Sequence, residues 1–235
     1  MLDDLRRRLR ELADPVRAEH SLRFFKTAPG QYGHGDRFLG LTVPSMRKLV
    51  REFRELPLGA AETLLFSEWH EERLVALMIL VEQYRHAPTA VYRLYLTRTD
   101  RINNWDLVDV SAPHIVGAHL ETRSRKPLYR LAKSKSLWER RIAIVATQHF
   151  IRRNDFDDTL AIARLLLDDE HDLIHKATGW MLREAGKRDE RVLRAFLDEH
   201  AAAMPRTMLR YAIERLSPAP RRHYLSRSSA PGTVG

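Results

Sequence analysis

The chain has no cysteine among its 235 residues. That excludes disulfides, thiolate metal sites and a cysteine acceptor for direct alkyl transfer, and it suits a reducing compartment. Long apolar runs are missing too. The longest spans residues 74–81, well short of the roughly 20 residues that cross a bilayer. The opening Met1-Leu2-Asp3-Asp4 lacks the basic segment and apolar stretch of an export signal, so a soluble cytoplasmic protein without a membrane partner is expected. No segment alternates apolar and polar residues as a strand does. Residues 28–36 are rich in glycine but lack the Gly-Lys-Ser/Thr ending of a phosphate-cradling loop. They read as a mobile loop near a ligand, and no nucleotide cofactor is expected.

The chain does have enough apolar residues for a sizeable core, at 44% of the total. Lys and Arg outnumber Asp and Glu by 40 to 31, for a net charge of +9. The basic residues are spread along the chain, and no segment joins a basic face to a large apolar one. A polyanion such as nucleic acid is therefore the natural partner.

Apolar residues recur at helical spacing over 2–12, 16–25, 44–56, 69–84, 89–96, 104–120, 124–133, 136–152, 156–167, 173–187, 190–200 and 205–216. Ser136 with Glu139 has the form of a capping box, and Pro205 suits a first helical position. Ala76, Val110, Ala143, Ala177 and Ala212 follow one another at intervals of 34, 33, 34 and 35 residues. Each interval holds about two helices, and one such pair cannot bury its own apolar face. The period therefore predicts an all-α solenoid of stacked helical pairs in one domain over 1–217, with a frayed tail over 218–235.

Against this ruler, Trp105, Asp109, Arg141 and Trp180 fall toward one side of their helices in successive repeats. Trp105 and Asp109 lie one turn apart, so an indole and a carboxylate share a face. Pro113 lacks the N–H that would bond the carbonyl of Asp109, and a bend centred there is expected. Asp106 lies in the first turn after an expected Asn103 cap, where the helix dipole favours a carboxylate, and it reads as structural.

Four stretches, FLGLTVPSMR (38–47), NNWDLVD (103–109), LWERRIAI (137–144) and HKATGWMLRE (175–184), together resemble the AlkD-type DNA glycosylases of the DNA alkylation repair group. The resemblance implies a curved HEAT-like solenoid whose concave, basic face holds duplex DNA. It also implies excision of cationic N3- or N7-alkylated purines without drawing the base into a deep pocket. The family's catalytic aspartate falls on Asp109, its lesion-facing tryptophans on Trp105 and Trp180, and its phosphate-contacting arginine on Arg141. An aromatic residue near the damage falls on Phe24, where some relatives carry Tyr, so a hydroxyl is missing here.

These residue types suit that chemistry. An alkylated purine already carries positive charge and leaves readily, so the enzyme has to stabilise an oxocarbenium-like sugar and supply water, which a carboxylate does. Indole faces attract the cationic base by about 0.5–2 kcal/mol each. Arg47, Arg183 and Lys187 join the expected phosphate contacts, along with Lys176 and Arg210. His171 and His175 have the spacing of a metal pair, but no third ligand accompanies them, so no metal is expected. Trp69 and Trp138, at helix starts, read as packing residues. No motif places a Schiff-base lysine, so the expected enzyme is a monofunctional hydrolase without cofactor or obligate protein partner. It would act as a nucleoid-associated monomer. The rival reading is a non-catalytic helical scaffold that binds nucleic acid or a protein.

Overall fold

A computed structural model describes residues 1–227 of the chain. The chain divides into two compact units, Met1–Ile115 and a second that begins at Val116. The first contains α1 (Leu2–Glu11), α2 (Pro15–Phe24), α3 (Val43–Glu52), α4 (Leu58–Leu65), α5 (His70–Tyr84), α6 (Pro88–Thr97) and α7 (Trp105–Ala112). A π-helical turn, Pro113–Gly117, follows α7 in the chain, and the short α8 (Ala118–Leu120) opens the second unit. The second unit holds α9 (Lys126–Ala132), α10 (Leu137–Ala146), α11 (Gln148–Ile151), α12 (Asp157–Leu165), α13 (Asp172–Arg188), α14 (Glu190–His200), α15 (Arg206–Ala212) and α16 (Pro218–Arg227). Among the described residues the one β interaction is an isolated bridge between Arg37 and Trp69.

The fold is all-α and built from helical pairs. In the first unit α4 and α6 pack on α5, which also touches α3 and α7. In the second, α9 and α12 pack on α10, α12 and α14 on α13, and α10 and α15 flank α13 in its own layer. Ala76, Ala143, Ala177 and Ala212 are fully buried on α5, α10, α13 and α15, so the 34-residue period marks the second helix of each pair. Small residues recur there because the partner helix passes close by. Gly179 on α13 is the extreme case, since a Cβ at that position would collide with the Met208 carbonyl and the Tyr211 side chain on α15.

The helix starts follow from local chemistry. Asp14 caps α2 by accepting from the Arg17 N–H at 3.0 Å, with Pro15 at the first position. Thr42 caps α3 and Ser136 caps α10 in the same way. The cap of α7 is Asn104, one residue later than expected. At Pro113 the backbone changes from α to π winding, the expected response to a missing N–H four residues after Asp109.

Three differences from the sequence reading have physical causes. α4 was not anticipated. It has eight residues, begins after Pro57 and shows little helical contrast in LGAAETLL, but Ala61, Leu64 and Leu65 are fully buried. The 136–152 segment ends its first helix at Ala146, and the buried Thr147 hydroxyl donates to the Ile144 carbonyl at 2.6 Å. The expected frayed tail is helical over Pro218–Arg227. Tyr224 joins the core formed by Phe196, Leu197, Met208 and Ile213 and donates to Asp198 at 2.9 Å. The rest of that expected tail lies outside the described residues. A single domain was expected over 1–217; the chain divides into the two compact units given above.

The Gly179 contact sets a stability prediction. Ala is the better helix former by about 1 kcal/mol, but overpacking against a backbone carbonyl costs about 1–3 kcal/mol. Gly179→Ala should therefore shift the urea unfolding midpoint to lower concentration. An unchanged or higher midpoint would show that α13 and α15 separate freely.

Candidate functional site

α5 opens with four consecutive polar residues, His70, Glu71, Glu72 and Arg73, that are only 2%, 3%, 1% and 5% exposed. Burying such groups costs several kcal/mol each unless they are paired, and every one of them has partners. The Glu71 carboxylate accepts the backbone N–H groups of Leu39, Gly40 and Leu41 at 2.9, 2.8 and 3.2 Å. Glu72 receives Arg6 and Arg10 from α1 at 3.3 and 2.8 Å. Arg73 donates to the Ser67 carbonyl at 2.9 Å and to Asp36 at 2.5 Å. The 38–41 segment that Glu71 holds also carries Gly40, whose φ of +81° and contact with Asp14 and Ala18 at the start of α2 leave no room for a side chain.

His70 bridges two carboxylates. Its Nδ1 lies 3.3 Å from Asp36 and its Nε2 2.7 Å from Asp106 in the first turn of α7. Asp36 also accepts from Asn104 Nδ2 at 3.1 Å, while Asn104 Oδ1 accepts the Trp105 N–H at 2.8 Å. Burial disfavours a charged imidazole, but the charge and hydrogen bond of Asp106 and the bond to Asp36 outweigh it and push the His70 pKa up to about 9. Asp36 is held below the ordinary carboxylate range: burial would raise it, and His70, Arg73 and Asn104 together overcome that.

An aromatic cluster packs on this network, with Phe25 also 4.9 Å from the His70 ring. Phe38 stacks on the His70 ring at 4.7 Å, Phe25 stacks on Phe38 at 4.9 Å, and Trp105 stacks on Phe25 at 5.4 Å with 19° between the planes. Phe24, 65% exposed at the end of α2, meets Trp105 edge-on at 5.8 Å. One indole face of Trp105 is therefore covered by Phe25. Asp109 follows one turn later on α7, half-buried like Trp105. Its negative charge helps raise the pKa of the buried Tyr95 hydroxyl, after burial itself, while the 2.9 Å hydrogen bond to Ser111 opposes the rise.

The first unit thus sets Phe24 against Trp105, with Asp109 one turn along α7, and Arg47 is exposed on α3. In the second unit Trp180, Arg183 and Lys187 occupy successive turns of α13, Trp180 half-buried. Arg183 pairs with Glu214, and Lys187 with Glu184 at 2.7 Å, so both expected phosphate contacts are offset by carboxylates. Lys176 pairs with Asp172 at 2.6 Å. Arg141 is 5% exposed, and its Nη1 donates to the Leu173 carbonyl at 2.7 Å. His171 caps α13 by accepting from the Leu173 N–H, and His175 donates to the Asp169 carbonyl, so both members of the spaced pair have structural roles. The Arg10 and Arg37 guanidinium groups lie 4.8 and 4.4 Å from the Trp69 ring.

Sequence reasoning missed His70 and Asp36. The signal was present as a run of charged residues directly before the apolar LVALMIL, where an exposed helix start would place them in water. Asp36 ends the glycine-rich 28–36 segment, and its burial ties that segment down where a mobile loop was expected. Asp106 has the first-turn position expected for it, and in addition it is the partner of His70.

A family described as DNA alkylation repair enzyme matches residues 5–216 of the chain. A solved structure described as a predicted DNA alkylation repair enzyme from Enterococcus faecalis superposes with a TM-score of 0.69 at 18% identity. The match covers 88% of this chain and 98% of that one, and it supports the helical-repeat fold. No curated protein matches the chain.

The His70 bridge has a signed pH consequence. Its folded pKa of about 9 exceeds the ordinary value of 6.5. The contribution to stability is therefore complete below about pH 6.5 and is lost as pH rises through about 9. A shift of this size corresponds to about 2–4 kcal/mol. The difference in unfolding free energy between wild type and His70→Gln should shrink across that interval. A difference that is constant from pH 6 to 10 would contradict the bridge.

Proposed function

Since the chain belongs to the DNA alkylation repair enzyme family, we propose that it is a monofunctional DNA glycosylase that hydrolyses the N-glycosidic bond of cationic N3- or N7-alkylated purines in duplex DNA. The observation that carries this reading is the half-buried Trp105 and Asp109 pair on successive turns of α7, flanked by the exposed Phe24. A carboxylate beside an aromatic surface suits a reaction in which positive charge moves from base to sugar. The indole attracts the cationic purine. Asp109 stabilises the developing oxocarbenium ion and orients the water that adds to the anomeric carbon. The C–N bond electrons leave with the purine and neutralise its charge, and the water's proton is released as the new C–O bond forms.

Phe25 covers one face of Trp105, so the opposite face and the Phe24 edge are assigned to the lesion. Without a hydroxyl, Phe24 contributes shape and polarisability to that contact. In the second unit Trp180 is assigned an aromatic contact to the DNA, and Arg141, Arg183 and Lys187 are assigned to phosphates, as is Arg47 in the first. Arg183 and Lys187 then exchange carboxylate partners for phosphate on binding. That exchange favours DNA because a phosphate contact also releases condensed counterions. Selection by lesion charge needs no hydrogen-bond pocket for the base and accommodates adducts of different size.

Asp109→Asn should lower release of 7-methylguanine from methylated duplex by about 10²-fold or more, the scale expected when transition-state charge stabilisation is removed. Its DNA affinity should persist and should weaken steeply with salt. Retained excision by Asp109→Asn would overturn the assignment of that residue. A wild-type chain that binds duplex but releases no base would be a DNA-binding scaffold.

A further inference from the structure

We propose that His70 is a positioning residue for this site: by bridging Asp36 to Asp106 and stacking beneath Phe38 and Phe25, it sets the orientation of the Trp105 indole and of the Asp109 face one turn along α7. The inference rests on the reading that Trp105 and Asp109 act on the lesion. It concerns a residue that touches neither the DNA nor the reacting atoms.

The hydrogen-bond inventory requires a particular ring form. Both nitrogens of His70 face carboxylate oxygens, at 3.3 and 2.7 Å, and an ionised carboxylate only accepts. Both nitrogens must then carry a proton, which the imidazolium alone provides. The charged groups that face the ring are Asp36 from the 28–36 segment, Asp106 from α7 and Arg73 from its own helix. Two cations stand against two carboxylates, so the buried cluster is neutral only while His70 is protonated. Loss of that proton leaves a lone pair pointing at a carboxylate, and one of the two bonds must open.

Asp106 is the neighbour of Trp105, so this break acts where the indole is held. The ring system is coupled a second time, because Phe25 lies 4.9 Å from His70 and 5.4 Å from Trp105. The Asn104 cap also holds the backbone of the first turn, through its own bond to the Trp105 N–H. The helix itself should therefore survive, and the side-chain geometry should change. Geometry at this level matters, since a misplacement of about 1 Å can cost on the order of 10²-fold in rate.

Near-UV circular dichroism and excision kinetics test this together. The difference between wild type and Trp105→Phe defines the band that belongs to the stacked indole. That band should be absent from His70→Gln at pH 7 and should fade in the wild type as pH rises past about 9, with far-UV helicity retained in both cases. The excision kcat of His70→Gln should fall by about tenfold or more, while KM stays within about threefold. If His70→Gln does not fold, the wild-type titration decides. If the wild type releases no base, the glycosylase reading fails and the dichroism still decides the role of His70. Persistence of the Trp105 band through pH 10, or in a folded His70→Gln, would overturn the proposal.

Discussion

A buried histidine held between two carboxylates is the constraint from which the first unit is organised. His70, Asp36 and Asp106 come from three separate segments: the start of α5, the end of the glycine-rich link and the first turn of α7. None of these ions would tolerate its burial alone, since an unpaired interior charge costs several kcal/mol. Together with Arg73 they form a neutral cluster, and each fixes the place of the others. Glu71 and Glu72 extend the same principle from the next two positions, one holding three backbone N–H groups and the other two arginines of α1. One turn of helix thus anchors α1, the 36–41 segment and α7.

The aromatic residues follow from that anchoring. Phe38 belongs to the segment Glu71 holds, and Phe25 fills the space between Phe38 and Trp105. The half-buried indole has one face covered by Phe25, and a carboxylate lies a turn away. An indole beside a carboxylate attracts positive charge. It does not need a deep cavity, because the attraction of an indole face and a carboxylate for positive charge acts at an open surface. In the second unit Arg183 and Lys187 of α13 are paired with Glu214 and Glu184.

Much of this was legible in the residues, and the exceptions share a cause. Helices with strong apolar periodicity, such as α13 and α14, lie where the spacing places them, and four residues of the 34-residue ruler, Ala76, Ala143, Ala177 and Ala212, are buried, while Val110 on α7 is half-buried. The pairing of Trp105 with Asp109 follows from helix geometry alone, and the departure at Pro113 follows from a missing N–H. What was not legible depends on partners far away in sequence. α4 is too short and too uniformly apolar to show a face, and α16 is fixed by Tyr224 reaching the core and Asp198. Four charged or polar residues in a row look like a solvated helix start until the loop and helix that pair with them are known. Arg141, read as a phosphate-contacting arginine, is buried and donates a hydrogen bond to the Leu173 carbonyl, 32 residues away.

The measurement closest to the centre of this account is the protonation state of His70 itself. A long-range proton–nitrogen correlation spectrum of the imidazole rings at pH 7.5, assigned by comparison with His70→Gln, reads it directly. The account predicts that both nitrogens of His70 resonate as protonated imidazolium nitrogens at a pH where ordinary histidines are mostly neutral. A neutral tautomer, with one nitrogen unprotonated, would contradict the bridge and the positioning role built on it.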